Sequence, residues 1–247
     1  MLLLVTDTSG KDGFVGLACT GERGQSDTVE LIDEVPLAGG TFSAQLVPQI
    51  SGLLGKHGRH KRDIDVFVVV TGPGSFTGLR VGLAAIKALA EILHKPIVPI
   101  SLLEVVARYA HSFAANGSES STSASFPYAV ALDAGRGEAY IGQYEIVGNN
   151  TGGSFHCVQE SLLPRELLAG LIASGAARWI ATPDATIADY LQAETKSHVF
   201  RTERPRSKKI GSIGWHKLQV GETVAPAELE ANYIRRSDAE IFAKPGC

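Results

Sequence analysis

Two stretches of this chain read as copies of one another, and no other feature limits its fold so strongly. "LLLVTDTSGKDGFVGLACT" begins at residue 2 and "YAVALDAGRGEAYIGQYEI" at residue 128. Each is an apolar run that ends at an aspartate, Asp7 or Asp133, followed by a glycine-bearing turn and a second apolar run. The residue after the turn and the glycine two positions on also correspond: Phe14 and Gly16 in the first copy, Tyr140 and Gly142 in the second. A strand–turn–strand unit that opens each half marks an internal duplication. The intervening runs alternate between types. "FSAQLVPQISGLL" has helical spacing at Phe42, Leu46, Ile50 and Leu53, with Pro48 expected to kink it or delay its start. "DVFVVV" is a continuous apolar strand of the kind found mid-sheet, "KPIVPIS" a further strand and "LLEVVARYAHSFA" a helix. The second half alternates helix ("PRELLAGLIASG"), strand ("RWIAT") and helix ("DATIADYLQA"). The expected class is α/β: two duplicated lobes with mixed sheets flanked by helices. Residues 1–112 are expected to form the N-terminal lobe, 113–127 an exposed serine-rich link and 128–247 the C-terminal lobe. The last helix is free to pack back on the first lobe.

With 247 residues, 44% of them hydrophobic, the chain can build two cores, and its net charge of -3 asks globally for neither nucleic acid nor membrane. The start, "MLLLVTDTSG", is apolar for a few residues only and has no basic flank, unlike a signal peptide. No apolar run approaches the roughly 20 residues needed to cross a bilayer. Cys19, Cys157 and Cys247 are scattered and odd in number, which fits a reducing, cytoplasmic setting.

"VVVTGPGSFTGLRVGLAAIKAL", residues 68–89, has the outline of a phosphate-binding loop, a strand running through a glycine-rich turn into a helix. The chemistry is missing. A Walker loop places Lys and Ser/Thr after its last glycine, and here Gly78 is followed by Leu79 and Arg80. The dinucleotide fingerprint also fails, because the glycines stand at 72, 74 and 78. A turn that caps the helix through Ser75 or Thr77 is an equal reading. In the helix, Leu79, Leu83, Ile86, Ala90 and Leu93 form a stripe for the sheet. Gly78, Gly82, Ala85 and Leu89 form a second stripe, which Val81, Ala88 and Ile92 extend. Only Arg80, Lys87 and Glu91 make a polar sector. Such a helix must be covered on more than one side, by the chain's own helices or by a second polypeptide. Glycine inside a helix costs about 1 kcal/mol relative to alanine, so Gly82 wants a reason, and close packing supplies one.

Asp7 and Asp133 are the candidate catalytic groups. Carboxylates at paired strand ends can hold a Mg-nucleotide or act as a base, and they can equally cap their own turns. The seven histidines show no metal-binding spacing, and His57 and His60 flank a glycine in a basic turn, so no zinc or iron site is expected. The basic run "RTERPRSKKIG" (201–211) is either a contact for RNA phosphates or a solvated loop.

Together these stretches resemble the TsaB (YeaZ) family of bacterial tRNA threonylcarbamoyladenosine (t6A) biosynthesis. "GPGSFTGLRVGLAAIKALA" (72–90) carries most of the likeness. "DTS" (7–9), "DAGRGEAY" (133–140) and "NYIRR" (232–236) follow in the family's order. The resemblance implies a fold like that of actin, the sugar kinases and the Hsp70 ATPases, and a subunit that is not itself the catalyst. Its paralogue TsaD would carry the metal-binding histidines and transfer the threonylcarbamoyl group to adenosine 37 of tRNAs reading ANN codons. TsaE, an ATPase, would join the pair, a homodimer would form in their absence, and tRNA would be met through the complex. No cofactor is implied beyond a weak or interfacial nucleotide. The implied partner interface comprises Phe42, Leu46, Ile50, Gly74, Thr77, Gly78, Val81, Gly82, Ala85 and Leu89, with Asp7 and Asp133 as a vestigial nucleotide site. The chain departs from the family at Phe42, where many relatives carry histidine, at Ala231, near a usual proline, and in the long serine-rich stretch at 116–125. The competing expectation is a small-molecule kinase or ATPase of the same fold using Asp7 and Asp133.

Overall fold

A computed structural model describes residues 1–21, 28–117, 127–147, 154–195 and 199–235. In chain order its elements are β1 (Leu2–Asp7), β2 (Gly13–Thr20), β3 (Val29–Leu37), α1 (Phe42–Lys56), β4 (Val66–Gly72), α2 (Phe76–Leu93), β5 (Ile97–Ser101) and α3 (Leu102–Gly117). The chain continues through β6 (Tyr128–Gly135), β7 (Glu138–Val147), β8 (Ser154–Pro164), α4 (Leu168–Ala173), β9 (Ile180–Thr182), α5 (Ala185–Thr195), β10 (Val199–Arg201) and α6 (Ser207–Gln219).

These elements fall into two compact units. The first contains residues 1–102 and 205–233, the second residues 103–204 with 234–236. The expected boundary at residue 112 put α3 with the first unit and residues 128–247 with the second, with the last helix free to pack back on the first. Contacts assign α3 to the second unit and α6 to the first, where α6 lies close on the first sheet. The serine-rich stretch 118–126 lies outside the described residues.

In the first unit the strand order is β3-β2-β1-β4-β5. β1, β2 and β3 form an antiparallel meander, and β4 and β5 run parallel to β1. Leu2, Leu4, Val15, Leu17, Phe67 and Val69 share one core with Phe42, Leu46, Ile50 and Leu53 of α1 and Leu83, Ile86 and Ala90 of α2. Strand side chains alternate between faces, so Val5 and Val68 point the other way, towards Gly211 and Gly214 of α6. A Cβ on Gly214 would lie 2.5 Å from a Val68 methyl, so the helix rides close on the sheet.

The second unit repeats the plan with order β10-β9-β6-β7-β8. β6, β7 and β8 are the antiparallel meander, and β9 and β10 run parallel to β6. Ala129, Ala131, Ile141 and Ile180 bury one face against Leu168, Ile187 and Leu191. The duplication seen in the sequence is therefore a duplication of strand order and direction.

The structure adds to or changes the sequence reading at three places. α1 runs unbroken through Pro48. Pro48 and Ala44, whose carbonyl the proline leaves without a helical donor, are both exposed, so water can replace the lost bond. β3 is a full strand, although Glu30, Asp33 and Glu34 interrupt its apolar pattern. The basic run at 201–211 is a loop only in part: residues 202–206 are irregular and mostly exposed, and Ser207 begins α6.

Candidate functional site

The glycine-rich turn is filled by the chain itself. Ser75 donates its backbone N–H to the Ser9 carbonyl at 2.7 Å, and its hydroxyl accepts the Gly78 N–H at 3.2 Å, capping α2. A Cβ on Gly74 would stand 2.1 Å from the Ser9 carbonyl oxygen, one on Gly78 2.2 Å from the Thr8 carbonyl oxygen, and one on Gly82 2.1 Å from Thr8 Oγ1. Three of the four glycines between 72 and 82 thus make room for the turn after β1. This corrects the reading of Gly74, Gly78 and Gly82 as a seam for a partner helix, because the close neighbour is Thr8–Ser9 of the same unit. Phe42, Leu46 and Ile50 are likewise corrected. All three are buried in the unit's own core.

The free side of α2 lies elsewhere on the helix. Thr77, Ala84 and Ala88 are exposed, Ile92 is 70% exposed, and Val81, Ala85 and Leu89 are half-buried. Thr77, Val81, Ala84, Ala88 and Ile92 recur at three- and four-residue steps and make one outward, mostly apolar strip. α1 packs alongside α2 and presents Ala44, Val47, Pro48, Ser51, Gly52 and Gly55 outward, with Val47 48% exposed. A Cβ on Gly52 or Gly55 would meet nothing within 4 Å. Of the expected interface residues, Thr77, Val81, Ala85 and Leu89 belong to this face, and the pattern reading missed Ala84 and Val47. The helical period could have found Ala84.

A C-terminal strap fixes one end of the face. Asn232 donates its N–H to the Thr71 carbonyl at 2.8 Å. The Tyr233 ring lies 5.0 Å from that of Phe76, and its hydroxyl accepts Arg80 Nε at 3.3 Å. The Arg80 guanidinium sits 3.9 Å over Phe76, a cation–π contact.

Asp7 and Asp133 stand in different units, each used by its own turn. The buried Asp7 carboxylate accepts the Ser9 N–H at 2.8 Å and the Ser9 hydroxyl at 2.6 Å. Asp133 Oδ1 accepts the Gly135 N–H at 3.0 Å and Arg165 Nη2 at 3.1 Å. Arg235, from the "NYIRR" motif, grips the same second-unit turn, donating to the Ala134 carbonyl at 2.8 Å and pairing with Glu138. Among the described residues no three His, Cys, Asp or Glu side chains converge as a metal set would.

The acids of β3 are tied to helices. Asp33 Oδ2 accepts Lys56 Nζ at 2.7 Å and His57 Nε2 lies 2.8 Å away. Lys56 first, then His57 and the Glu34 amide, hold the Asp33 carboxyl well below the usual carboxylate range. Glu34 accepts the Ser207 N–H at 3.0 Å and Arg206 Nε at 2.7 Å. Burial pushes the Glu34 carboxyl up, but the donors of Ser207 and Arg206 outweigh it and leave it below its ordinary value. Of the basic run at 201–211, Arg201 pairs with Asp189 at 2.5 Å in the second unit and Arg206 with Glu34 in the first.

Two mixed sheets of identical strand order, flanked by helices, fit the duplicated actin/sugar kinase/Hsp70-ATPase-like fold. YeaZ from Pseudomonas aeruginosa has this fold, with a TM-score of 0.68 at 22% identity over 94% of this chain and 99% of that one. A family model described as "TsaD: tRNA N6-adenosine threonylcarbamoyltransferase" matches residues 36–237. Two relatives are each named tRNA threonylcarbamoyladenosine biosynthesis protein TsaB. The one from Haemophilus influenzae is 34% identical over 110 residues, 44% of this chain and 43% of the relative. The one from Bacillus subtilis is 32% identical over 145 residues, 59% of this chain and 56% of the relative. The matched part spans about half the length of these two relatives. The chain therefore belongs to the family that the model defines, and within it to the TsaB (YeaZ) members. No helix among the described residues is long and apolar enough to cross a membrane.

Proposed function

We propose that this chain is a non-catalytic subunit of the t6A machinery, pairing with a TsaD-type threonylcarbamoyltransferase and supporting transfer of the threonylcarbamoyl group to adenosine 37 of ANN-decoding tRNAs. One observation carries the reading. The outer strip of α2, from Thr77 through Val81, Ala84 and Ala88 to Ile92, is apolar and open on the side away from its own sheet. Contiguous exposed apolar surface of this kind marks an association site. The small residues of α1, Gly52 and Gly55 among them, would let a facing helix approach closely. The way Asp7 and Asp133 are spent on their own turns supports a supporting rather than a chemical role. Without its partner the same strip is expected to close a homodimer, and a TsaE-type ATPase would engage the assembled pair. No cofactor is required of this subunit, and a cytoplasmic location follows from the substrate.

The test is co-expression with the threonylcarbamoyltransferase of the same organism. The expected result is co-purification and t6A formation that falls sharply when this chain is withheld. Full t6A formation in its absence, with no complex on size-exclusion chromatography, would refute the reading.

A further inference from the structure

The turn that follows α1, "GKHGRHKRD" (55–63), holds Lys56, Arg59, Lys61 and Arg62 within seven residues of a chain whose net charge is -3. It is a built turn. Gly58 sits at φ 62°, the Arg59 N–H reaches the Leu54 carbonyl at 2.9 Å and the Gly58 N–H the Gly55 carbonyl at 3.1 Å. That pair of bonds is a Schellman motif, which ends the helix and fixes the direction of the next residues. A 3-10 turn over Lys61–Asp63 follows at once.

The acids nearby in sequence and space are committed. Asp63 accepts the His60 N–H at 2.8 Å, and Asp65 accepts the Leu2 N–H at 2.7 Å and lies 3.8 Å from Lys95. Asp33 takes Lys56, the cation that answers the negative end of α1, and the His57 ring beside it. Arg59, Lys61 and Arg62 are exposed, and none of them forms a side-chain hydrogen bond or ion pair among the described residues. The turn contrasts with the basic run at 201–211, whose Arg201 and Arg206 are held in ion pairs.

The geometry points to Arg59, Lys61 and Arg62 as a contact for the phosphate backbone of RNA, at the end of α1 that borders the docking face. This inference rests on the proposed function for the identity of the RNA. The turn offers charge without exposed aliphatic side chains, since Ile64 is buried. Such a surface suits sequence-independent phosphate contact. An interface with an acidic protein would be expected to add apolar anchors.

The experiment uses the complex of the full chain with its threonylcarbamoyltransferase and an unmodified tRNA transcript that reads an ANN codon. Affinity is measured against NaCl concentration for wild type and for Arg59→Gln/Lys61→Gln/Arg62→Gln. Each lost phosphate contact should lower the slope of log K against log salt by about 0.7–0.9, so the triple variant should lose roughly two units of slope and about tenfold or more in affinity at low salt. Arg59→Lys/Arg62→Lys, which keeps the charge, should behave as wild type, and unchanged circular dichroism would show that the fold is kept. An unchanged slope and affinity in an intact complex overturns this inference alone. A triple variant that binds the transcript normally but loses its partner at low salt assigns the turn to an acidic protein surface and overturns it too. A wild-type chain that forms no complex removes both this inference and the function on which it rests.

Discussion

Glu34, in the edge strand β3, accepts the backbone N–H of Ser207, a residue 173 positions later in the chain, at 3.0 Å. A strand thus caps a helix whose own N-cap residue, Arg206, makes no side-chain capping bond. The neighbouring Asp33 points to the other face of the sheet, as alternation requires, and holds the end of α1 through Lys56 and His57. Two adjacent acids therefore clamp one helix on each side of the first sheet. Replacing Glu34 by Ala should cost about 1–2 kcal/mol, the usual worth of a helix cap, read as a lower denaturation midpoint with an unchanged m-value.

The sign of the pH dependence follows from the same contact. The Glu34 carboxyl lies below its ordinary value of 4.5 in the folded chain, so its contribution is present above that value and is lost as pH falls through the folded one. The wild type should lose stability relative to Glu34→Gln below about pH 4.5. The difference between the two should be constant from pH 6 to 8. Parallel stability curves down to pH 3 would contradict this.

Gly82 offers a test of which neighbour it serves. A Cβ there would stand 2.1 Å from Thr8 Oγ1, so Gly82→Ala should destabilise the isolated chain by roughly 1–3 kcal/mol despite alanine's better helix propensity. Removing the hydroxyl and methyl with Thr8→Ala should recover part of that loss, a coupling of at least 0.5 kcal/mol in a double-mutant cycle. Additive effects would mean that the two residues do not share this space.

The proposed docking face predicts opposite signs for two properties. Gly52 is exposed on α1 and a Cβ would meet nothing in the chain. Gly52→Ala should stabilise the free subunit by about 0.5–1 kcal/mol and weaken its complex with the threonylcarbamoyltransferase. Ala88→Arg, on the outward strip of α2, should leave the thermal midpoint of the free chain within a few degrees and lower partner affinity at least tenfold by titration calorimetry.

Cys157 is exposed as a residue, but burial of its thiol, with Glu160 and Glu104 opposing a thiolate, pushes its pKa up to about 11. Only the thiolate attacks alkylating agents. At pH 8 it should react with iodoacetamide on the order of 100-fold more slowly than an ordinary thiol of pKa near 8.5, with peptide mapping to separate it from Cys19 and Cys247. A rate equal to that of a model thiol would show that the side chain is open to water.

The duplicated half was legible because its marks are local: an aspartate closing an apolar run, a turn, and a second apolar run. Both copies became meanders with a parallel strand beside them. β3 was hidden because Glu30, Asp33 and Glu34 break the alternation, and two of those acids answer helix ends, Asp33 that of α1 and Glu34 that of the remote α6. α6 was hidden for a related reason. Its basic start reads as solvated until Glu34 is known to face it, and Gly211 and Gly214 look like helix breakers until the sheet they approach is known. At the candidate site, the helical period showed that α2 is apolar almost all round, but not which arc the chain itself covers. Thr8 and Phe42, far from α2 in sequence, decide that arc.

The return of α6 to the first sheet sets a limit on how this chain can be made. The cover that α6 gives Val5 and Val68 arrives only when residues 207–219 have been synthesised. A growing chain would therefore carry a sheet face without this helix through most of translation, with the second unit able to close before the first. Domains usually settle in the order in which they leave the ribosome. Here the first-born sheet must wait for almost the last helix.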